Sequence, residues 1–364
     1  CRCTGYHRIV DAILTAGGAW EGDGSIPGEA PRRTGFFGEK DGLPDRSSLG
    51  GSGVGASSPR YRGEDHALGE KPYIADMTME GMLHGAVVLS RHPRARVVRL
   101  DEGGILDRDG VVRVITAADV VGRRHVGLIR PDWPVFVAQG EVTRCVGDVL
   151  ALVLADSRFS ANEAAAALEA SVEYEVLDPV VDPQEALAPG ATEIHEGGNL
   201  LDVCAFSRGD VDRALEASEH VVEETFITQR IEHAFLEPEA CLAVPRGCPG
   251  SEELGPSDGG LLRVYTQGQG VHEDQRQVAS VLGIPREDVQ VELVTNGGAF
   301  GGKEDLSIQA QTALAAYLTR RPVRTVLTRA QSMQLHPKRH PIRLHYKAGC
   351  DAEGRLTAIR ARIV

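Results

Sequence analysis

Apolar positions are sparse over the first part of this 364-residue chain and dense afterwards. Residues 149–154 (VLALVL) form an unbroken apolar run, which predicts a strand covered on both faces. Shorter runs at 83–89, 111–115, 240–244 and 261–266 predict further strands, and 219–229 alternates with the period of a half-buried strand. Strands are also expected at 171–176, 289–295, 323–328, 342–347 and 356–364. Helices are predicted at 160–168, with Ser160 as N-cap, at 210–218, and at 272–282, closed by Gly283 and Pro285. A further helix is expected over 306–318, where Ala310, Ala313, Leu314, Tyr317 and Leu318 share one stripe. Residues 149–176 read as a strand–helix–strand unit, so the fold class is α+β or mixed α/β. Residues 21–69 are dense in Gly, Ser, Pro and Arg and have linker composition. Residues 178–198 contain Pro179, Pro183 and Pro189 and read as a connector between domains. Residues 246–260 read as a polar loop, with Cys248 exposed in it.

A chain of this length is expected to hold two or three domains. The formal charge of −13 argues against a nucleic-acid partner, which needs a basic face. No run approaches about eighteen apolar residues, so no membrane span is predicted. Seven cysteines, an odd number, do not suggest a disulfide framework, and a reducing cytoplasm is the simple expectation. His84, His92 and His125 are too scattered to read as metal ligands.

The chemistry concentrates at Asn296-Gly297-Gly298-Ala299-Phe300-Gly301-Gly302-Lys303-Glu304-Asp305. A glycine-rich turn between a strand and a helix suggests a loop that approaches a cofactor closely, with backbone N–H groups at a helix N-terminus for an anion. Gly297 to Lys303 fits the first seven positions of a phosphate-binding loop, G-x-x-x-x-G-K. The Ser or Thr that would ligate Mg²⁺ is replaced by Glu304, with Asp305 next to it, and two carboxylates repel a triphosphate. A nucleotide site is therefore disfavoured. A second turn, Thr266-Gln267-Gly268-Gln269, also follows a predicted strand, so both turns leave carboxyl ends of strands.

Gly297 to Glu304 resembles the molybdenum-cofactor loop of the xanthine dehydrogenase/aldehyde oxidase family of molybdenum hydroxylases. Thr266-Gln267-Gly268-Gln269 resembles that family's second cofactor segment, and Glu232-His233-Ala234-Phe235-Leu236-Glu237-Pro238-Glu239 the segment leading into the same domain. Cys1-Arg2-Cys3-Thr4-Gly5-Tyr6 looks like the end of its second [2Fe–2S] domain. The layout is similar to the selenium-dependent xanthine dehydrogenase branch. The resemblance implies a helical [2Fe–2S] remnant at 1–18, a linker at 19–70, an α/β hammerhead domain at 71–180 and a connector at 181–202. The first part of a molybdenum-cofactor domain would occupy 203–364.

It further implies a molybdenum–pterin cofactor, with a cytosine-dinucleotide form admitted, and contacts from Gln267, Gly298, Ala299, Phe300 and Gly301. Glu304 matches the carboxylate that contacts purine substrates, through a hydrogen bond to a ring nitrogen or N–H. Cys1 and Cys3 would supply two of the four thiolates of a [2Fe–2S] cluster, the other two lying upstream. The general-base glutamate and substrate-clamping arginine are expected beyond Val364, so no catalytic residue is assigned. The implied activity is oxidation of a purine such as xanthine or hypoxanthine, or a related N-heterocycle, with oxygen from water. Electrons would leave through [2Fe–2S] clusters to FAD on a partner subunit or domain, in a homo-oligomeric full enzyme. Alternatives are an aldehyde-oxidising member of the family, or an inactive cofactor-domain fragment serving packing or electron transfer. Lys303, Asp305, His233, Glu237 and Glu239 are read as structural.

Overall fold

The computed structural model describes residues 65, 68–249, 251 and 260–364, and Pro72–Val364 forms one unit. Its early strands are β1 (Leu83–Leu89), β2 (Ala95–Arg99), β3 (Val111–Thr116), β4 (His125–Val126), β5 (Trp133–Pro134), β6 (Val149–Ala155) and β7 (Glu173–Val176). There follow β8 (His220–Ile227), β9 (Ala240–Pro245), β10 (Leu262–Thr266), β11 (Val289–Leu293), β12 (Val323–Val326), β13 (Arg343–Cys350) and β14 (Leu356–Ile363). Seven strands build one mixed sheet in the order β11-β10-β9-β12-β1-β6-β3. The regions expected as hammerhead and cofactor domains therefore share a sheet, joined where β1 runs parallel to β12 with Leu83 opposite Val323 and Gly85 opposite Thr325.

The unbroken apolar run is explained by burial from both sides. All of β6 is buried, with Leu152 and Leu154 in one core and Leu150, Val153 and Ala155 in another. The second core is closed by helix Arg158–Ser171 through Ala161, Ala164, Ala165 and Leu168. The first takes Ala310, Ala313 and Leu314 of helix Gln309–Thr319 and Val278 and Leu282 of helix Val271–Leu282. Burying one Leu side chain of this kind contributes about 1.5–3 kcal/mol. Gly283 closes helix Val271–Leu282 at φ +67°, as the sequence predicts, because the left-handed turn disfavours a Cβ.

Several expectations change. Helix Arg158–Ser171 is capped by Ser157, whose Oγ accepts from the Ser160 N–H at 3.0 Å; Ser160 lies in the first turn. The strand–helix–strand unit does not close within the large sheet, because β7 pairs with β2 instead. Helix Gln309–Thr319 starts three residues later than predicted; Gln309 Oε1 accepts from the Ser307 and Ile308 N–H groups and so holds the turn that precedes the helix. Helix Arg329–Leu335, which the apolar pattern does not predict, is a short element fixed by a capping box between Thr328 and Gln331. β8, β13 and β14 form a separate antiparallel sheet. No helix among the described residues is long and apolar enough to cross a membrane.

The β1–β12 seam tests this architecture. A Cβ at Gly85 would stand 2.5 Å from Thr325 Oγ1 and 3.2 Å from Leu152 Cδ1. Gly85→Val is expected to destabilise the protein by about 2 kcal/mol through overpacking. A thermal melt that leaves Tm unchanged would remove the seam from the account.

Candidate functional site

Two turns emerge side by side because β10 and β11 are parallel neighbours, with Thr266 opposite Leu293. The first runs from Gln267 to Gly270 and the second from Val294 through Lys303. They are tied together at several points. Asn296 Nδ2 donates to the Gln267 carbonyl at 2.6 Å, and Gln269 N–H donates to the Lys303 carbonyl at 2.9 Å. Gln269 Oε1 accepts from the Gly301 N–H at 3.1 Å and the Lys303 N–H at 3.3 Å. So the Gly301 N–H, which the resemblance assigns to the cofactor, is held by Gln269.

Under the turns lies a buried charge. Lys303 is 3% exposed, and its Nζ donates to the Glu237 carbonyl at 2.8 Å and to Gln267 Oε1. The same ammonium stands 4.5 Å from the centre of the Phe235 ring. Burial pulls Lys303 down to about 8, against the opposing pull of Glu237 and Glu239. Glu237 Oε2 accepts the Gly297 N–H at 2.7 Å, while burial raises its carboxyl despite that bond and the Lys303 charge. Glu239 is buried, and its Oε1 lies 3.2 Å from His336 Nδ1; His336 Nε2 meets Glu232 at 2.7 Å.

The glycine string follows from these neighbours. A Cβ at Gly302 would fall 2.9 Å from the His233 ring, and one at Gly297 would fall 2.6 Å from Glu237 Cβ. Gly298 and Gly301 hold φ of +104° and +89°, and Phe300 is itself left-handed at +54°. A non-glycine residue in that region is uncommon and stores strain. Phe300 is 58% exposed, so it is not packing beneath the loop. Ala299 is buried and Glu304 is exposed; burial, with His336 beside it, lowers the His233 imidazole against the smaller opposing pull of Glu232 and Glu304. Gln267 is only 2% exposed, yet its Nε2 has no hydrogen-bond partner; Asn296 Oδ1 and Thr295 Oγ1 share that condition. Buried polar atoms without partners are rare, and such a set beside an exposed glycine loop fits a polar ligand seated there.

Two readings of the loop fail. Its Lys303 ammonium is turned inward, so it does not face a triphosphate. Nor does the loop run into a helix N-terminus, because helix Gln309–Thr319 begins six residues after Lys303. Cys1 and Cys3 lie outside the described residues, and among those described no cluster of His, Cys, Asp or Glu could hold a metal.

A deeper layer steadies the first turn. Thr266 Oγ1 donates to Asp274 at 3.0 Å and accepts from the Gly268 N–H at 2.9 Å and from Gln309 Nε2 at 3.2 Å. Asp274 is fully buried, and its carboxyl is raised to about 7 by that burial. The sequence alone does not mark Asn296, Gln269, Lys303 or Asp274 as functional. Asn296 and Gln269 do adjoin the glycine string and Gln267, a local signal that could have found them.

The molybdopterin cofactor-binding domain model matches residues 194–364, and the aldehyde oxidase and xanthine dehydrogenase a/b hammerhead domain model matches 68–178. The nicotinate dehydrogenase large molybdopterin subunit of Eubacterium barkeri is 33% identical over 310 residues, 85% of this chain and 69% of that protein. This chain belongs to the xanthine dehydrogenase/aldehyde oxidase family of molybdenum hydroxylases. A probable xanthine dehydrogenase subunit of Bacillus subtilis (strain 168) is 36% identical over 308 residues, covering 85% of this chain and 39% of its own length. The aldehyde oxidoreductase structure from Desulfovibrio gigas matches at a TM-score of 0.74 and 27% identity, over 84% of this chain and 34% of that one. The chain thus spans well under half of the Bacillus relative and of that solved structure.

Asp274 gives the deeper layer a pH signature. An aspartate raised from 3.8 to about 7 keeps its proton in the fold where the unfolded chain has lost it. Stability therefore falls as pH rises through that window and is level above it. Asp274→Asn escapes this loss, so its Tm relative to the parent protein should climb by several degrees from pH 5 to pH 8. A pH-independent difference would refute the buried proton.

Proposed function

We propose that this chain supplies the cofactor cradle of a molybdenum hydroxylase acting on a purine such as xanthine or hypoxanthine, or a related N-heterocycle. The carrying observation is the buried, unpartnered Gln267 Nε2 beside the exposed Phe300–Gly301 turn and the exposed Glu304. Gln267 would donate to an oxygen acceptor of the cofactor, and Asn296 Oδ1 would accept from it. Gly298 and Ala299 would bring backbone close to the pterin, and Phe300 would flank the metal. For the Gly301 N–H to serve the cofactor, Gln269 must release it. When bound, a molybdenum–pterin group supplies the two-electron oxidation of a C–H carbon, with oxygen taken from water. The protein's part is orientation and electrostatics.

Glu304 would hydrogen-bond a ring nitrogen or N–H of the substrate, a role open to an exposed carboxylate at the turn. Two of the relatives are named for oxidation of xanthine and of nicotinate, both N-heterocycles, which supports this class over simple aldehydes. Both are also named as subunits, which supports partner chains carrying [2Fe–2S] clusters and FAD. In this chain itself, Cys1 and Cys3 would be two ligands of a further [2Fe–2S] cluster.

Metal analysis of the full-length protein should return molybdenum and iron. Dye reduction should depend on xanthine or nicotinate more than on benzaldehyde; a protein free of molybdenum, or faster on benzaldehyde, would overturn the reading. Glu304→Gln should lower kcat/KM for the heterocycle by about tenfold, the size of one hydrogen bond to a charged group. Unchanged heterocycle kinetics would free Glu304 of this role.

A further inference from the structure

We infer that Lys303 is a positioning residue that fixes the amide of Gln267 with its carbonyl towards the Lys303 ammonium and its N–H away from it. This rests on the cofactor reading of the Gln267 turn. The two ends of a glutamine amide have nearly the same shape, so only neighbours decide which end faces which way. An ammonium carries three donors and no acceptor, so it admits Oε1 and rejects Nε2. The three directions of Lys303 Nζ are spent on the Glu237 carbonyl at 2.8 Å, on Gln267 Oε1 and towards the Phe235 ring. The Gln267 main chain is pinned separately, by Asn296 Nδ2 at 2.6 Å. With backbone and Oε1 both fixed, Nε2 is left buried and free to donate.

The ammonium also polarises the amide. Positive charge at Oε1 draws electron density from Nε2 and strengthens it as a donor, and low local dielectric amplifies the effect. The groups facing Lys303 are Glu237 and Glu239 from the segment before β9 and Arg329 from helix Arg329–Leu335. Arg329 Nη2 is engaged by the Leu236 carbonyl at 2.6 Å, so it does not compete for Gln267 Oε1 at that atom. The lysine of the glycine loop thus acts on the neighbouring turn and not on a ligand of its own loop.

The test uses the full-length, molybdenum-loaded enzyme with Lys303→Met, Lys303→Arg, Gln267→Ala and the Lys303→Met/Gln267→Ala double variant. Readouts are molybdenum per chain, kcat and KM, and the Mo(V) electron paramagnetic resonance spectrum of the partly reduced enzyme. Lys303→Met is expected to keep its molybdenum, to lose about tenfold in kcat with KM within about twofold, and to shift the Mo(V) spectrum as Gln267→Ala does. The double variant should be no slower than the slower single variant, because both act through one hydrogen bond. Lys303→Arg keeps a donor for Oε1 and should recover part of kcat. A parental spectrum and kcat in Lys303→Met, or additive losses in the double variant, would overturn the inference. So would loss of molybdenum from Lys303→Met alone, since Lys303 would then hold up the loop and not the amide. Parental enzyme without molybdenum would sink the function reading itself, and this inference with it.

Discussion

The parallel pairing of β10 with β11 is the constraint on which the site depends. Two parallel neighbours must leave the sheet at the same edge, so their following turns meet without any long-range search. Each strand is then anchored elsewhere: β10 is antiparallel to β9, and helix Val271–Leu282 returns the chain from the end of β10 to the start of β11. The turns inherit rigidity from this frame. A glycine-rich loop loses more conformational freedom on ordering than other sequences, so it needs such external fixing.

That fixing is polar and buried. Taking an ammonium out of water costs several kcal/mol unless donors and charges are matched. At Lys303 the match is a carbonyl, an amide oxygen, an aromatic face and two nearby carboxylates. Glu237 serves twice, its carbonyl holding Lys303 and its carboxylate holding the Gly297 N–H. One segment therefore grips both ends of the glycine string. Below it, the Thr266–Asp274–Gln309 contacts hold the other turn from two helices. The site is braced by these contacts, while Gln267 Nε2, Thr295 Oγ1 and Asn296 Oδ1 stay buried and unpaired.

The large sheet was legible because period and apolar density are local properties. β1, β3, β6, β9 and β10 fall within a residue or so of the expected ranges, and each contributes side chains to the buried cores. What was not legible depended on partners far along the chain. β7 looks like the return strand of a crossover, and only its pairing with β2 shows otherwise. Cys248, expected to be exposed in a polar loop, is buried in a cluster that includes Ile74, a neighbour far along the chain that no window of sequence contains. The glycine loop and Gln267 stood out by composition and by resemblance. The brace behind them did not, because Glu237 and Gln267 lie 66 and 36 residues from the lysine they hold.

The same string, G-x-x-x-x-G-K, can therefore serve two opposite electrostatic designs. In a nucleotide loop the lysine must reach out, because its task is to neutralise phosphate. Here the exposed Glu304 and the half-buried Asp305 follow the lysine, where they would repel such a ligand, and the ammonium is drawn inward towards Glu237 and Glu239. The direction of Lys303 is thus set by where the negative charge lies. With the cation inside, the loop presents neutral backbone and an aromatic ring outward, with Glu304 at its end. That surface suits a cofactor held by many weak contacts better than one held by charge.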